Sequence, residues 1–358
     1  MPSTGSAHEL QRAQLNTALM KILVVHTSGR IGDALLATPA ISAIRDHYAN
    51  STITVLANKN TLPCLQNNPD IDILEPFHRR TSPLFGLLKP NYYETAFVFC
   101  GITDNKTSQI SYARRTAKKV CAFNTNTIHD NKVDISVPGF IAGEHIANHY
   151  LRLPAALGIE PTSRRIVYRP TQFETNKAIE ILRELPPGLL IGLKLTSLKS
   201  RSYRDWPIEN FINLCTLISR ILPDTQYLIF GSTEEKQAIN VFIEKFPGCA
   251  YNVANNDIRL TGAIMSKIDF YIGVDTGPTH VMSSFDIPLL VLYHCLSPST
   301  YVGPLDHPYA TLIDHTTTSS SCTENTPLSE ISVETVFKRF LQSIDKHGIG
   351  KRQPQEAT

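Results

Sequence analysis

Residues 21–45 read KILVVHTSGRIGDALLATPAISAIR. The aliphatic run Ile22-Leu23-Val24-Val25 has no polar alternation, which fits a strand covered on both faces. Thr27-Ser28-Gly29-Arg30-Ile31-Gly32-Asp33 then interrupts it, and Gly29 and Gly32 permit a tight turn with close backbone approach. Beyond the turn the apolar spacing becomes helical. Strand, glycine turn and helix in this order open a βαβ unit, so the stretch places the chain in the α/β class. Thr38-Pro39 reads as an N-cap followed by proline at the first helical position, which predicts a main helix from Pro39 to about Tyr48.

The same alternation extends outward. Residues 52–57 and 95–100 read as strands and 144–157 as a helix. A polar break follows at 158–162. The pattern then restarts with strands at 189–193, 226–230, 270–274 and 289–293 and helices at 207–222 and 233–246. This predicts two Rossmann-like domains with parallel sheets facing an interdomain cleft, residues 20–165 and 166–346. Residues 1–19 carry no apolar h-region and are expected to be a disordered extension, with Met20 as an alternative start; residues 347–358 are expected to be a disordered tail. No apolar stretch reaches the ~18–20 residues of a membrane span.

A length of 358 residues accommodates two domains at roughly 150 each. The 34 Lys+Arg against 32 Asp+Glu leave +2, so bulk charge does not point to nucleic acid. That balance hides a basic stretch at 79–119, with eight Lys/Arg against Glu94 and Asp104, and a cationic loop at 194–204. The seven cysteines stand singly, without C-x-x-C, which suggests neither a zinc site nor a disulfide framework and fits a reducing cytoplasm.

Ligands of doubly wound sheets lie beyond the carboxyl ends of strands, so the strand-to-helix turns are where chemistry is expected. The first turn is G-x-x-G-D rather than G-x-G-x-x-G, and no Gly-Lys-Ser/Thr follows, which disfavours a dinucleotide fingerprint and a P-loop. Asp33 there reads either as a helix cap or as a general base. Asp275-Thr276-Gly277-Pro278-Thr279-His280 follows strand 270–274; Pro278 suits the first helical position, Thr276 or Gly277 the cap, and the free amides an anion. The loop from Lys194 gathers Thr196, Ser197, Lys199, Arg201 and Arg204, a set suited to phosphate or simply to solvent. Trp206-Pro207 reads as an anchored helix start. Glu234-Glu235, after strand 226–230, offers a carboxylate for ribose hydroxyls or an ordinary surface charge. Asp70-Ile71-Asp72 spells D-x-D, but it follows an Asn-Asn-Pro turn where a metal site is not expected.

Three blocks, KILVVHTSGRIGDALLATPAISAIR, RDWPIENF and DFYIGVDTGPTHVMSSFDIPLLVLY, resemble in this order glycosyltransferase family 9, the ADP-heptose:lipopolysaccharide heptosyltransferases. The resemblance covers roughly residues 20–345. It implies a GT-B fold, with acceptor bound by the N-terminal half and nucleotide-sugar by the C-terminal half. It also implies an inverting transfer of heptose from ADP-heptose to a lipopolysaccharide core, with no metal and no cofactor. By position Asp33 becomes the general base, and Arg204 takes the place of a lysine on the donor diphosphate. Thr196 and Ser197, with the cations Lys199 and Arg201, approach the phosphates. Asp275 holds sugar hydroxyls, Thr276 and Gly277 meet the diphosphate beside His280, and Glu235 is the ribose ligand. Gly32 and the basic Arg79, Arg80, Arg114 and Arg115 are expected on the acceptor side, at lipopolysaccharide anions or at the cytoplasmic face of the inner membrane, with a merely solvated basic face as the other reading of the stretch. The family pattern is not complete: the 199–201 region is a few residues longer, Lys194 stands where many relatives carry His, and the cysteine-rich segment before the last helix is reduced to Ser320-Ser321-Cys322. Alternative readings are a GT-B nucleotide-sugar epimerase, a non-catalytic nucleotide-sugar module, and transfer to a non-lipopolysaccharide acceptor such as a protein.

Overall fold

The computed structural model describes residues 20–78, 81–99, 107–124, 132–197, 199–317 and 320–349. The chain divides into two units, Met1–Tyr168 and Arg169–Thr358.

In the first unit β1 (Lys21–His26), β2 (Thr52–Ala57), β3 (Ile73–Pro76), β4 (Tyr93–Phe99), β5 (Ala117–Phe123) and β6 (Ile135–Val137) pair in parallel in the order β3-β2-β1-β4-β5-β6. The helices named here are α1 (Ile31–Leu36), α2 (Thr38–His47), α3 (Thr107–Thr116) and α4 (Ile146–Ala155). Alternate residues of each central strand enter separate cores. Ile22, Val24, Ile53, Val55 and Phe97 join Ile41, Ile44 and Leu153 of α2 and α4, whereas Leu23, Val25, Ala96 and Val98 join Ile110 and Ala113 of α3. Burial on both faces is why the strands read as unbroken apolar runs.

The expected start of the main helix is corrected. The chain is already helical at Ile31, and Thr38 is the first residue of α2 rather than its cap, with Ala37 at the N-cap. Pro39 has no amide proton for the carbonyl of Leu35, and the Thr38 hydroxyl donates to that carbonyl instead, at 2.6 Å. The same hydroxyl accepts from the Val167 amide at 2.9 Å.

The second unit repeats the topology. Strands β7 (Leu190–Lys194), β8 (Gln226–Phe230), β9 (Ala250–Asn252), β10 (Phe270–Val274), β11 (Leu289–Tyr293) and β12 (Ala310–Asp314) form a parallel sheet ordered β12-β11-β10-β7-β8-β9. In both units the first strand in sequence sits centrally and the winding reverses beside it. Helices α5 (Gln172–Arg183), α6 (Ile208–Ile221), α7 (Lys236–Lys245), α8 (Ile258–Met265), α9 (Gly277–Met282) and α10 (Val333–His347) belong to this unit. Trp206 is fully buried before α6, its ring edge-on to Phe211, and its indole N–H donates to the Ile331 carbonyl at 2.8 Å.

Two further expectations change. Residues 347–349 are part of the fold: Gly348 closes α10 in the left-handed region at φ 65°, the Ile349 amide donates to the Ile344 carbonyl, and Ile349 packs on the core. The remaining tail residues 350–358, like residues 1–19, lie outside the described residues. Cys295 and Cys322 form a disulfide, with Cα atoms 5.9 Å apart. They are 27 positions apart, so no local spacing announces the pair; the sheet brings the end of β11 beside the segment that follows β12.

Candidate functional site

The reversal of winding in the second unit lies between β7 and β10, the position at which such sheets bind ligands. Lys194 ends β7 opposite Gly273, one residue before β10 ends at Val274. A β-carbon at Gly273 would stand 3.0 Å from the Lys194 β-carbon, so the glycine makes room for this lysine.

Asp275, the first residue beyond β10, anchors one buried network. Arg204 donates to its Oδ2 at 2.5 Å, the Ser297 hydroxyl donates to the same oxygen at 3.0 Å, and His280 Nε2 stands 3.4 Å from Oδ1. Burial alone pushes the Asp275 carboxyl up. The His280 hydrogen bond and the His280 and Arg204 charges, with Ser297, outweigh it and hold the group below the usual carboxylate range. Arg204 in turn lies over the Tyr203 ring, 5.5 Å from its centroid.

Glu235 anchors a second network. Its Oε1 takes Lys194 in an ion pair and accepts from the Thr196 hydroxyl, while Oε2 accepts from the Ser232 amide at 2.8 Å. Burial lowers the Lys194 pKa, and the Glu235 charge opposes that shift. Ser197 is held between both ends of the 197–205 loop: its amide donates to Asp205 at 2.6 Å and its hydroxyl to the Arg201 carbonyl at 2.7 Å. Burial raises the Asp205 pKa, and the nearby Glu235 adds to it.

The sheet therefore gathers Thr196, Ser197, Arg204, Glu235, Asp275 and His280 at one strand end. Thr276 is the N-cap of α9, its hydroxyl 3.0 Å from that of Thr279, so Gly277 is the first helical residue and Pro278 the second, not the first. Of the loop cations, Lys199 is exposed and Arg201 half-buried; Glu234 is exposed, in contrast to Glu235. Sequence reasoning passed over Ser297 and Asp205, which join from separate turns, and read Lys194 as one of the loop cations rather than as the buried partner of Glu235.

The first unit places Asp33 in the first turn of α1, beyond the carboxyl end of β1. No side-chain hydrogen bond caps this helix, whose N-cap is Arg30; instead the Ser28 hydroxyl donates to Asp33 Oδ2 at 2.7 Å. The turn itself is fixed from three sides. Gln109 of α3 donates to the Thr27 hydroxyl at 2.7 Å, Asn58 to the Thr27 carbonyl at 3.3 Å and Thr61 to the Ser28 carbonyl at 3.4 Å. Gly32 follows Ile31 as the second residue of α1.

Within the basic stretch the described arginines differ in their surroundings. Arg114 is committed to Asp134 at 2.6 Å and to the carbonyls of Ala117 and Lys118 where β5 begins, which removes it from the acceptor set on geometric grounds. Arg115 is exposed at the end of α3; Arg79 and Arg80 lie outside the described residues. Both carboxylates of the D-x-D are engaged at the amino edge of the sheet. Asp70 accepts from the Ser42 hydroxyl at 2.5 Å; Asp72 pairs with Arg45 and accepts from the Ile53 amide at 2.7 Å.

Residues 188–331, which contain both networks of the second unit, match the model of Glycosyltransferase family 9 (heptosyltransferase). The chain is 21% identical over 298 residues to the lipopolysaccharide core heptosyltransferase OpsX of Haemophilus influenzae, covering 78% of this chain and 80% of that one. A glycosyl transferase family 9 structure from Veillonella parvula superposes with a TM-score of 0.78 at 18% identity, over 91% of this chain and 98% of the other. The ADP-heptose LPS heptosyltransferase II of Escherichia coli gives 0.75 at 17%, over 92% and 100%. The two structures share the fold of this chain, the GT-B fold anticipated from its motifs. Sequence blocks, paired doubly wound units and family match agree: over residues 188–331 the chain carries a region that matches glycosyltransferase family 9, which supports a glycosyltransferase.

Proposed function

We propose that the chain transfers a heptose from ADP-heptose to a lipopolysaccharide core acceptor, with inversion at the anomeric carbon and without a metal at the reacting centre. The observation that carries this reading is the buried Arg204-Asp275-His280-Ser297 network at the reversal of winding in the second unit. A desolvated guanidinium held in place by a carboxylate needs little reorganisation to meet a diphosphate, and preorganised charge of this kind supplies much of the stabilisation of a leaving group. Lys199, Arg201 and the amides at Thr276-Gly277 add to the same charge, Asp275 and Ser197 engage sugar and phosphate, and Glu235 is the ribose ligand.

In the reaction the acceptor hydroxyl gives its proton to Asp33 as its oxygen bonds to the anomeric carbon. The bond from that carbon to ADP breaks, and ADP leaves with the electron pair. The Ser28 hydrogen bond orients the Asp33 carboxylate for this role, in which a positioned base contributes ~10²–10⁴-fold. The engagement of Asp70 and Asp72 by Ser42, Arg45 and Ile53 supports the metal-free reading, because neither carboxylate is presented as a D-x-D cation ligand.

For the partner side we propose transient contact with an anionic membrane surface through residues 84–92, in keeping with a cytoplasmic enzyme acting on a lipid-borne acceptor. Leu84, Leu87 and Leu88 are 63%, 62% and 77% exposed. Gly86 faces inward, where a β-carbon would come within 3.2 Å of Tyr112 and 3.3 Å of Thr116, and so the turn presents its leucines outward. Lys21 and Lys89 lie over the Tyr92 ring at 3.9 and 5.2 Å, which places positive charge beside the apolar group, the combination that suits a lipid interface. No helix among the described residues is long and apolar enough to cross a membrane.

The test is incubation with ADP-heptose and deacylated core oligosaccharide, read by mass spectrometry with and without excess EDTA. Product gaining one heptose in both conditions is expected. Failure to use ADP-heptose overturns the donor assignment, and activity lost in EDTA and restored by Mn²⁺ overturns the metal-free mechanism.

A further inference from the structure

We propose that, when the Cys295–Cys322 disulfide is reduced, His294, Cys295 and Cys322 form a binding site for one thiophilic divalent cation, with Zn²⁺ as the probe. A ring nitrogen of His294 and the two sulfur atoms all lie within 4.8 Å of one another, and Nδ1 is 4.0 Å from the Cys295 sulfur. Zinc holds imidazole nitrogen at about 2.0–2.1 Å and thiolate sulfur at about 2.3 Å, so its ligand atoms stand roughly 3.3–3.8 Å apart. Once the sulfur–sulfur bond opens, shifts of about 1 Å bring the three donors to that spacing.

The imidazole is already oriented for this role. His294 is buried at the end of β11, and its Nε2 faces the Thr326 carbonyl at 2.8 Å. A carbonyl only accepts, so Nε2 carries the proton and Nδ1 keeps its lone pair on the side of the sulfurs. The Leu296 amide reaches Nδ1 at 3.2 Å and confirms its acceptor character; this amide gives way when a metal binds. A ligating histidine whose second ring nitrogen donates to a backbone carbonyl is the usual outer support of protein metal sites. Two thiolates neutralise a dication, so the centre adds no net charge near Arg204, whose Nε donates to the Tyr203 hydroxyl while the Tyr203 ring lies 5.0 Å from that of His294. Water completes a tetrahedral set.

The site stands outside the reacting groups but next to the donor network. Cys295 is two residues before Ser297, which donates to Asp275, and Cys322 begins the segment that carries Thr326 and leads to Ile331, the acceptor of the Trp206 N–H. A metal bridge and a disulfide would tie the same two segments, one under reducing and the other under oxidising conditions. Reduction by a phosphine converts the disulfide and one water to two thiols and a phosphine oxide; binding of the cation then releases one proton from each thiol.

The experiment uses the full chain, reduced anaerobically with a water-soluble phosphine, exposed to Zn²⁺, desalted and assayed for metal. About one Zn²⁺ per chain is expected after reduction, less than a tenth of that without it, and less than a tenth in Cys322→Ser or His294→Gln. Thiol titration of the unfolded protein should find two more thiols after reduction than before. Should either variant fail to fold, Co²⁺ titration of the reduced wild type decides, because thiolate ligation produces a sulfur-to-cobalt charge-transfer band that saturates at one equivalent. No retained Zn²⁺ in the reduced wild type, equal retention with the disulfide intact, or Co²⁺ binding without that band overturns the site.

Discussion

Replacing Asp275 by Asn keeps the volume of the side chain and removes its charge, leaving Arg204 and His280 in place. Arg204 is only 12% exposed and Asp275 4%, so the guanidinium loses its counter-ion in a site with little access to water. Breaking a buried ion pair from one side costs roughly 3–5 kcal/mol, because the surviving charge is stranded. The small remaining exposure of Arg204, and the His280 and Ser297 contacts that stay in place, favour the lower end, about 3 kcal/mol. For a unit of this size each kcal/mol moves the midpoint by roughly 2–4 °C, so Tm should fall by about 6–12 °C. The folded-state pKa of Asp275 is depressed; its contribution is therefore complete above the unfolded value near ~3.9 and is lost only as pH falls through the lower folded value. Because the carboxylate also favours a protonated His280, the gap between wild type and variant should not shrink as pH falls from 8 to 5. Scanning calorimetry across that range measures it, and Arg204→Gln with Asp275→Asn should cost well under the sum of the two singles. A fall under about 1 °C, or additivity within ~0.5 kcal/mol, would refute the account of the network.

Asp33→Asn should lower kcat at least a hundredfold while leaving ADP affinity by calorimetry within twofold, and a near-normal kcat would return Asp33 to a structural role. Glu235→Gln should destabilise the second unit by about 3 kcal/mol in urea, since Lys194 would lose its buried counter-charge, and should weaken ADP binding; an unchanged urea midpoint contradicts the ion-pair assignment. The triple change Leu84, Leu87 and Leu88 to Ser should abolish co-sedimentation with vesicles rich in phosphatidylglycerol without lowering Tm. Equal sedimentation of both proteins, or none by the wild type at low salt, would dismiss the membrane contact.

What the sequence revealed follows from where each element lies. The central strands β1, β2, β8, β10 and β11 are legible because burial on both faces demands runs such as ILVV and LLVLY. Strands β3, β5, β6, β9 and β12 escaped notice: β3, β6, β9 and β12 are short sheet edges, partly exposed, and β5 opens with the exposed Lys118-Lys119 that break its apolar run. The turns 27–33 and 275–280 were visible as polar residues crowded at strand ends. Their partners were not. Ser297 reaches Asp275 from another turn, Ser28 rather than an amide meets the Asp33 carboxylate, and Cys322 finds Cys295 across 27 residues. Local spacing constrains a residue's own backbone, whereas pairings of this kind depend on how strands are ordered.

That order has a consequence for synthesis of the protein. The first strand of each unit lies in the middle of its sheet, and β1 and β7 must wait for β4 and β10 to arrive as their second neighbours. About 70–80 residues separate the partners, which at the usual ~5–20 residues per second leaves each aliphatic strand half covered on the ribosome for several seconds or more. The nascent chain meets this interval twice, once for each unit. Codon changes that lengthen the pause between residues 26 and 93, or between 194 and 270, therefore bear on the yield of native protein more than equal changes elsewhere.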